Sequence, residues 1–533
     1  MSGIGRASVM IAAGTMVSRA TGLLRSVLLV TAIGAAASAD AFAVANQLPS
    51  SIYMIVSTGI LTAVIVPQIV SASRAPDGGG AFISKLFTLG TVILLAVTAV
   101  AVLCAPLLVD LYANEFTPSQ TALATTFAYW CLPQIFFYGI YALVGETLNA
   151  RRIFGPFTWA PIVNNIVSIA GFGLFIALFG SGQKSPLAWT PAMTATIGAS
   201  STLGIVLQTV VLLVFWRRTG LRLRADFRWK GMGLGQIGRL AGWTFLMVLV
   251  TQLAAIVQSS ILATASAVEA PAQIIAGNAS LIFILPYSII ALSIGTPYFT
   301  QLSGNVAAGR FTEVPRDVST SVRVISLLIV LSTAALVAAS VPVSRVFTTS
   351  HDQAISMALV LVCYLAGLIP IGVLFTVQRT FYAYNDTRTP FVFTLVQAGI
   401  AAALALAALA LPPELRAAGV ALGQSFSILV QVVLATILLR RTVGALRVRT
   451  WMLSLARFVI AAIPAGAAGW GVFLLLGGID GWTVSSQLLG AVGTVIIGAV
   501  AVAVYFPVLV LLRTPELAPV FALLRRFLPA GRS

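Results

Sequence analysis

Charge is what this sequence has least of. Only 8% of its 533 residues are Asp, Glu, Lys or Arg, against 59% that are hydrophobic. Soluble domains carry about 25% charged residues, so a water-soluble globular protein is excluded. Acids are the scarcer sign, 14 against 31 Lys and Arg. The chain has one histidine, His351, which excludes histidine-rich metal sites. Its three cysteines, Cys104, Cys131 and Cys363, lie far apart within apolar runs. They read as small buried residues rather than a disulfide or a metal set. HExxH, GxSxG and paired intramembrane acids are all missing, which removes the membrane-embedded hydrolases and leaves an enzyme without support. Gly233-Leu234-Gly235-Gln236-Ile237-Gly238 fits GxGxxG but follows a basic loop instead of a strand, so it does not indicate a nucleotide. Neither a cofactor nor a metal is expected. The first apolar run is too long for a cleaved signal and carries arginines.

What the chain has instead is apolar sequence from end to end. Mean hydropathy is +1.02, in runs long enough to cross ~30 Å of hydrocarbon. Gly, Pro and charge divide it into fourteen predicted helices, at about 7–33, 41–70, 82–109, 120–149, 158–180, 192–216 and 232–263, then 271–303, 318–347, 353–383, 389–411, 415–440, 451–477 and 485–512. Pro49, Pro133, Pro286 and Pro370 mark kinks in the second, fourth, eighth and tenth, which can double as hinges. The fold class is therefore all-α and polytopic.

Connections on one side hold 26 of the Lys and Arg, whereas the other side holds only Lys184, Arg345 and Arg416. That asymmetry predicts a plasma-membrane protein with both termini cytoplasmic. It makes the net charge of +17 a topology signal, strengthened by anionic lipid, with no implication of nucleic-acid binding. The tail at 513–533 reads as a short amphipathic helix on the cytoplasmic surface, capped by Thr514 with Pro515 at its first position.

The chain repeats itself. Leu48-Pro49-Ser50-Ser51-Ile52 in helix 2 matches Leu285-Pro286-Tyr287-Ser288-Ile289 in helix 8, an offset of 237. TLNARRIFGPF after helix 4 matches TFYAYNDTRTPF after helix 10 with an offset of 233, aligning Ala150 with Ala383. Both offsets equal six helices, an even number, so the halves share one membrane orientation. The expected layout is two parallel six-helix lobes at 1–216 and 217–440, with helices 13 and 14 at 441–512 outside the duplication. Such parallel repeats place a substrate site at their interface near the midplane.

Two arginines need an explanation. Arg19 and Arg25 sit inside VSRATGLLRSVLLV, the first roughly 18 Å past Ala7 and the second ~9 Å further. A lone arginine at mid-bilayer costs about 2.5–3.5 kcal/mol on insertion scales. Thr15, Ser18, Arg19, Gly22, Arg25 and Ser26 share one stripe about 120° wide, which faces water or a polar ligand on this reading. Helix 2 adds Asn46, Gln47, Ser50, Ser51, Ser57 and Thr58 with Tyr53 alongside, and Asp40 lies in the loop before it. Together they are expected to line one cavity, where arginine's planar fork suits phosphate oxygens. The plainer alternative has both arginines bonded to carbonyls or to Glu146, merely holding helices together.

Glu146 is the one clearly intramembrane acid and reads as a partner of Arg151 or Arg152 ahead of a proton relay. Glu146, Asn149 and Asn278 are the candidates for gating or coupling. Asn164 and Asn165 read as interhelical hydrogen-bonding residues. Gln252, Gln258 and Gln273 are further candidates for lining.

Three stretches carry a resemblance. They are SRATGLLR followed by DAFAVANQLP, then FAYWCLPQIFFYGIYALVGETLNARRIFGPFTWAPIVNN, and LPYSIIALSIGTPYFTQLS. Over about residues 5–440 the sequence resembles the MurJ (MviN) lipid II flippase family of the multidrug/oligosaccharidyl-lipid/polysaccharide exporter superfamily. The resemblance implies a two-lobed, fourteen-helix transporter that moves undecaprenyl-diphosphate-linked peptidoglycan precursor between leaflets, with cell-wall synthesis or division proteins as partners. It implies that Arg19 and Arg25 bind the diphosphate and that Asp40 is functionally important. The sequence also departs from the family pattern. Ser26 stands where many members have an acid, Tyr53 where arginine is common, and Ser280-Leu281 where an Asp-Arg pair falls. The rival functions are export of another lipid-linked glycan and multidrug or cation antiport.

Overall fold

A computed structural model describes residues 3–57, 80–151, 153, 155–182, 185–228, 234–266, 272–444 and 446–517. All regular structure among them is helical, which is how a chain in hydrocarbon satisfies its backbone N–H and C=O groups internally. The protein is a multi-pass membrane protein. Among the described residues thirteen helical stretches are long and apolar enough to span a bilayer, and each falls on one of the fourteen expected segments. The remaining segment is helix 2, described over Ala37–Val56, while its expected continuation at 58–70 lies outside the described residues.

In chain order the first helices are α1 (Gly3–Ile33), α2 (Ala37–Val56), α3 (Gly80–Leu103), α4 (Ala105–Ala113), α5 (Pro118–Cys131) and α6 (Gln134–Ala150). They are followed by α7 (Gly155–Phe179), α8 (Pro191–Phe215), α9 (Leu234–Ser266), α10 (Gln273–Pro286) and α11 (Leu292–Ala307). Next come α12 (Val314–Ala338), α13 (Ser340–Val346), α14 (His351–Leu365) and α15 (Leu368–Ala383). The last are α16 (Arg388–Ala407), α17 (Pro413–Val443), α18 (Val448–Leu475) and α19 (Gln487–Leu511).

Local chemistry sets several of these ends. Thr117 accepts from the Gln120 amide and Gln120 reaches back to it, a reciprocal cap with Pro118 in the first turn. Thr190 before Pro191, Ser350 and Ser486 cap α8, α14 and α19 in the same way.

Helices 3 and 9, expected as continuous, and helices 4 and 10, expected to kink at Pro133 and Pro370, are each broken. The interruptions fall at Cys104, Leu132, Ala339 and Ala366. Their cause is proline without an N–H, namely Pro106, Pro133, Pro342 and Pro370. The break at Ala339 lies 235 residues past that at Cys104, and the break at Ala366 lies 234 past that at Leu132. The duplication read from short motifs thus recurs in the backbone. Helix 8 bends as expected, through a π-helical turn at Tyr287–Ala291 immediately after Pro286.

The chain forms two compact units, residues 1–277 with 405–417, and 278–404 with 418–533. In the first, α1 lies along α7 and α7 along α8. Small residues permit the approach: a Cβ on Gly14 would lie 2.8 Å from Thr158 Cγ2, and Gly204 faces the Asn164 side chain.

In the second unit, α18 and α19 pack against α12 and bury Phe458, Tyr505 and Leu509. Arg345, an exception to the charge asymmetry, is 9% exposed. It donates to the carbonyls of Val484 (2.8 Å), Thr348 (2.5 Å) and Ser485 (3.3 Å), so its charge is used as a staple. Arg323 and Arg379, counted among the connections, instead lie within α12 and α15. Arg323 Nε is 3.2 Å from Glu516 Oε1, and the glutamate side chain is 1% exposed. Ser454 Oγ donates to the same oxygen at 2.8 Å. The beginning of the tail is therefore tied into the bundle, with Leu517 buried beside Phe458.

Removing one partner of a buried pair costs about 3–5 kcal/mol, whereas the exposed Arg228–Asp226 pair contributes little. Glu516→Ala is expected to lower the thermal unfolding midpoint of the purified protein clearly. Asp226→Ala is expected to leave it unchanged in the same assay.

Candidate functional site

The α1 arginines are placed by a neighbouring helix. Asn165 on α7 donates its Nδ2 to the Ser18 carbonyl at 3.0 Å and to Thr21 Oγ1 at 2.9 Å. Thr21 can accept because its own proton goes to the carbonyls of Val17 and Ser18. These bonds bracket Arg19 on both sides in sequence, and Gly22 lets α7 come close at Asn165. Asn165 is thus an interhelical tie, as expected. Part of the polar stripe differs from expectation, because Gly22 serves helix packing and Ser26 is buried. Ser18 is half-buried and contributes its backbone carbonyl.

Arg19 is exposed and Arg25 half-buried. Among the described residues neither guanidinium has a carboxylate within ion-pair distance. The neighbour within electrostatic reach of Arg25 is the neutral Tyr138 on α6. On α2, Tyr53 meets Tyr138 with ring centroids 5.6 Å apart and ring planes tilted by 32°. Tyr53 is also hydrogen-bonded to Ser57 and lies within electrostatic reach of Glu146. Arg25, Tyr53, Tyr138 and Glu146 therefore form one connected group inside the first unit.

Asn46 and Gln47 are half-buried on α2, both about two turns before Tyr53. Ser50 donates to the Gln47 carbonyl at 2.8 Å. Ser51 is buried and bonded to Tyr112, and Thr58 lies outside the described residues.

Asp40 is a correction. Expected on the cavity wall, it is fully buried. Its Oδ1 accepts from the Ile274 amide at 2.7 Å, and its Oδ2 from the Ala272 amide at 3.0 Å and from the Ser266 hydroxyl. The carboxylate thus caps the free N–H groups at the start of α10 from a different helix, favourably placed against that helix dipole. No oxygen of it is left for a ligand.

Gln273 is likewise spent inside the protein, donating to the Ser259 carbonyl at 2.8 Å and its hydroxyl at 2.7 Å. Gln252 is buried, with Nε2 unpartnered among the described residues. Asn278, in the second unit, is buried, and the Asn149 side chain lies outside the described residues.

Two features escaped the sequence reading. Tyr138 is one turn before Tyr141 on a helix that also carries Glu146. That i, i+3 spacing was a legible signal for a shared face. Arg379 was counted as a connection residue, yet its guanidinium lies over the rings of Phe299 and Phe375, 5.2 and 5.3 Å from their centroids. Cation–π contact of this kind favours a guanidinium that is withdrawn from water.

Comparison with known proteins separates the readings that share this architecture. A solved structure described as "Lipid II flippase MurJ, inward closed conformation" is similar with a TM-score of 0.72 at 19% identity, covering 94% of this chain and all of that one. A multidrug resistance transporter of the MATE family in an inward-facing conformation is also similar, with a TM-score of 0.64 at 15% identity, covering 83% of this chain and 99% of that one. The fold is thus common to a lipid II flippase and a multidrug resistance transporter and does not decide between them. Sequence does. The "Probable lipid II flippase MurJ" of Rhizobium tropici is 24% identical over 542 residues, which is 98% of this chain and 97% of the relative. The family profile described as "Lipid II flippase MurJ" matches residues 29–510, and the chain belongs to that family.

Proposed function

We propose that this protein moves a polyprenyl-diphosphate-linked peptidoglycan precursor, lipid II, from the inner to the outer leaflet of the bacterial plasma membrane. It acts by alternating access, as a carrier and without chemistry on its substrate. The 26-to-3 split of basic residues supports cytoplasmic termini. The observation that carries the reading is the pair Arg19 and Arg25, placed in a helix of membrane length and given no carboxylate among the described residues. A guanidinium in that position favours an anion, and its fork matches the oxygens of a diphosphate. The same argument disfavours a cation antiporter, which needs acids where this unit has guanidinium and tyrosine. Glu146 remains a candidate for coupling, with Tyr53 as its neighbour.

Asp40 takes a different role on this reading. Its carboxylate ties the start of α2 to Ser266, Ala272 and Ile274, a set of bonds that must break if that end of the molecule opens. It is a latch on one of the conformations that transport visits.

Leaflet-specific detection of lipid II in cells depleted of the protein tests the function. Wild type restores outer-leaflet precursor, while Arg19→Ala and Arg25→Ala restore little. Each loses a charged hydrogen bond to phosphate, roughly a ten- to hundredfold loss of carrier affinity. Normal flux after depletion, with no second flippase present, would sink the reading. Asp40→Ala separates latch from ligand: flux falls while carrier affinity of the purified protein stays unchanged. A fall in affinity equal to that of Arg25→Ala would return Asp40 to the binding site.

A further inference from the structure

Between Arg25 and Glu146 the first unit holds aromatic surface that grip on a diphosphate does not use. Tyr141 is consumed by packing: its hydroxyl donates to the Phe157 carbonyl at 2.8 Å, and its ring stacks on Phe157 with centroids 5.2 Å apart. Tyr53 and Tyr138 differ. Both are half-buried rather than fully packed away, and their rings are in mutual contact. Tyr138 lies within electrostatic reach of Arg25, and Tyr53 is held by Ser57. The pair is therefore an aromatic platform within electrostatic reach of a guanidinium that has no carboxylate partner among the described residues.

Tyrosine offers a large apolar face with a polar rim at little conformational cost. A pyranose ring presents the complementary surface, with C–H groups on its faces and hydroxyls around its edge. In a polyprenyl-diphosphate-linked glycan the first sugar is bonded directly to the diphosphate. An anion held by Arg25 consequently sets that sugar beside Tyr138.

We propose that Tyr53 and Tyr138 form the subsite for the first sugar ring of the translocated headgroup, so that the protein prefers glycan-bearing carrier over the bare diphosphate. The inference rests on the reading of Arg25 as a diphosphate ligand. On this reading the ring faces carry the sugar and the guanidinium carries the diphosphate.

Equilibrium binding of two probes to the full-length protein in lipid nanodiscs tests this. One probe is undecaprenyl diphosphate, and the other is undecaprenyl diphosphate bearing a single N-acetylated hexose. Wild type is expected to bind the sugar-bearing probe roughly tenfold more tightly. Tyr138→Leu and Tyr53→Leu bring that ratio close to one and leave affinity for the bare probe unchanged. Tyr138→Phe keeps most of the ratio, because the ring remains. Arg25→Ala weakens both probes and preserves the ratio. Should Tyr138→Leu fail to fold, as judged by its unfolding midpoint, Tyr53→Leu on the other helix decides. Equal binding of the two probes by wild type, or a ratio untouched by both leucine variants, overturns the subsite while leaving the Arg25 reading intact. Binding of neither probe overturns both.

Discussion

Arginine charge that no carboxylate among the described residues neutralises is the constraint around which the first unit is organised. A guanidinium in hydrocarbon is costly, and an ion pair is the usual remedy, although pairing also carries a desolvation penalty. Elsewhere this molecule uses that remedy or a substitute for it. Arg323 has Glu516, Arg345 has three carbonyls, and Arg379 has two phenyl rings. Arg19 and Arg25 have none of these among the described residues, and Arg25 has only a neutral tyrosine near it. The contrast within one chain is what gives the α1 pair its meaning, since the protein evidently has the means to quench an arginine and does so at three other places.

The supporting structure follows from that exposure. An unquenched cation is useful only if its position is defined, and α1 obtains its position from α7 through Asn165 and through the close approach at Gly14 and Gly22. Small residues and a single amide accomplish in the membrane what a hydrophobic core does in water, because lipid offers no drive to bury leucine. The opposite choice was made for Asp40. Its charge is wholly satisfied by one hydroxyl and backbone amides, so its energy goes into holding one arrangement of the chain instead of recognising a ligand.

Much of this was legible beforehand, and the failures have physical causes. Span ends could be read because Thr117-Pro118 and Thr190-Pro191 are helix starts by local chemistry alone. The duplication was visible in two short motifs and reappears in the paired breaks at Cys104 and Ala339. Those breaks were missed because hydropathy averages across a proline, although Pro106 and Pro342 were there to be seen. The burial of Asp40 depends on residues more than 220 positions away, and no local pattern reports such a contact. Arg323 and Arg379 were assigned to loops because a basic residue near a helix end normally extends toward water. The partners that keep them inside come from distant sequence.

The tie between α1 and α7 has a mechanical corollary. Bonds from Asn165 to both Ser18 and Thr21, on consecutive turns, resist rotation as well as sliding. Any movement of Arg19 within the first unit must therefore take α7 along as cargo, so the two helices behave as a single stiff lever.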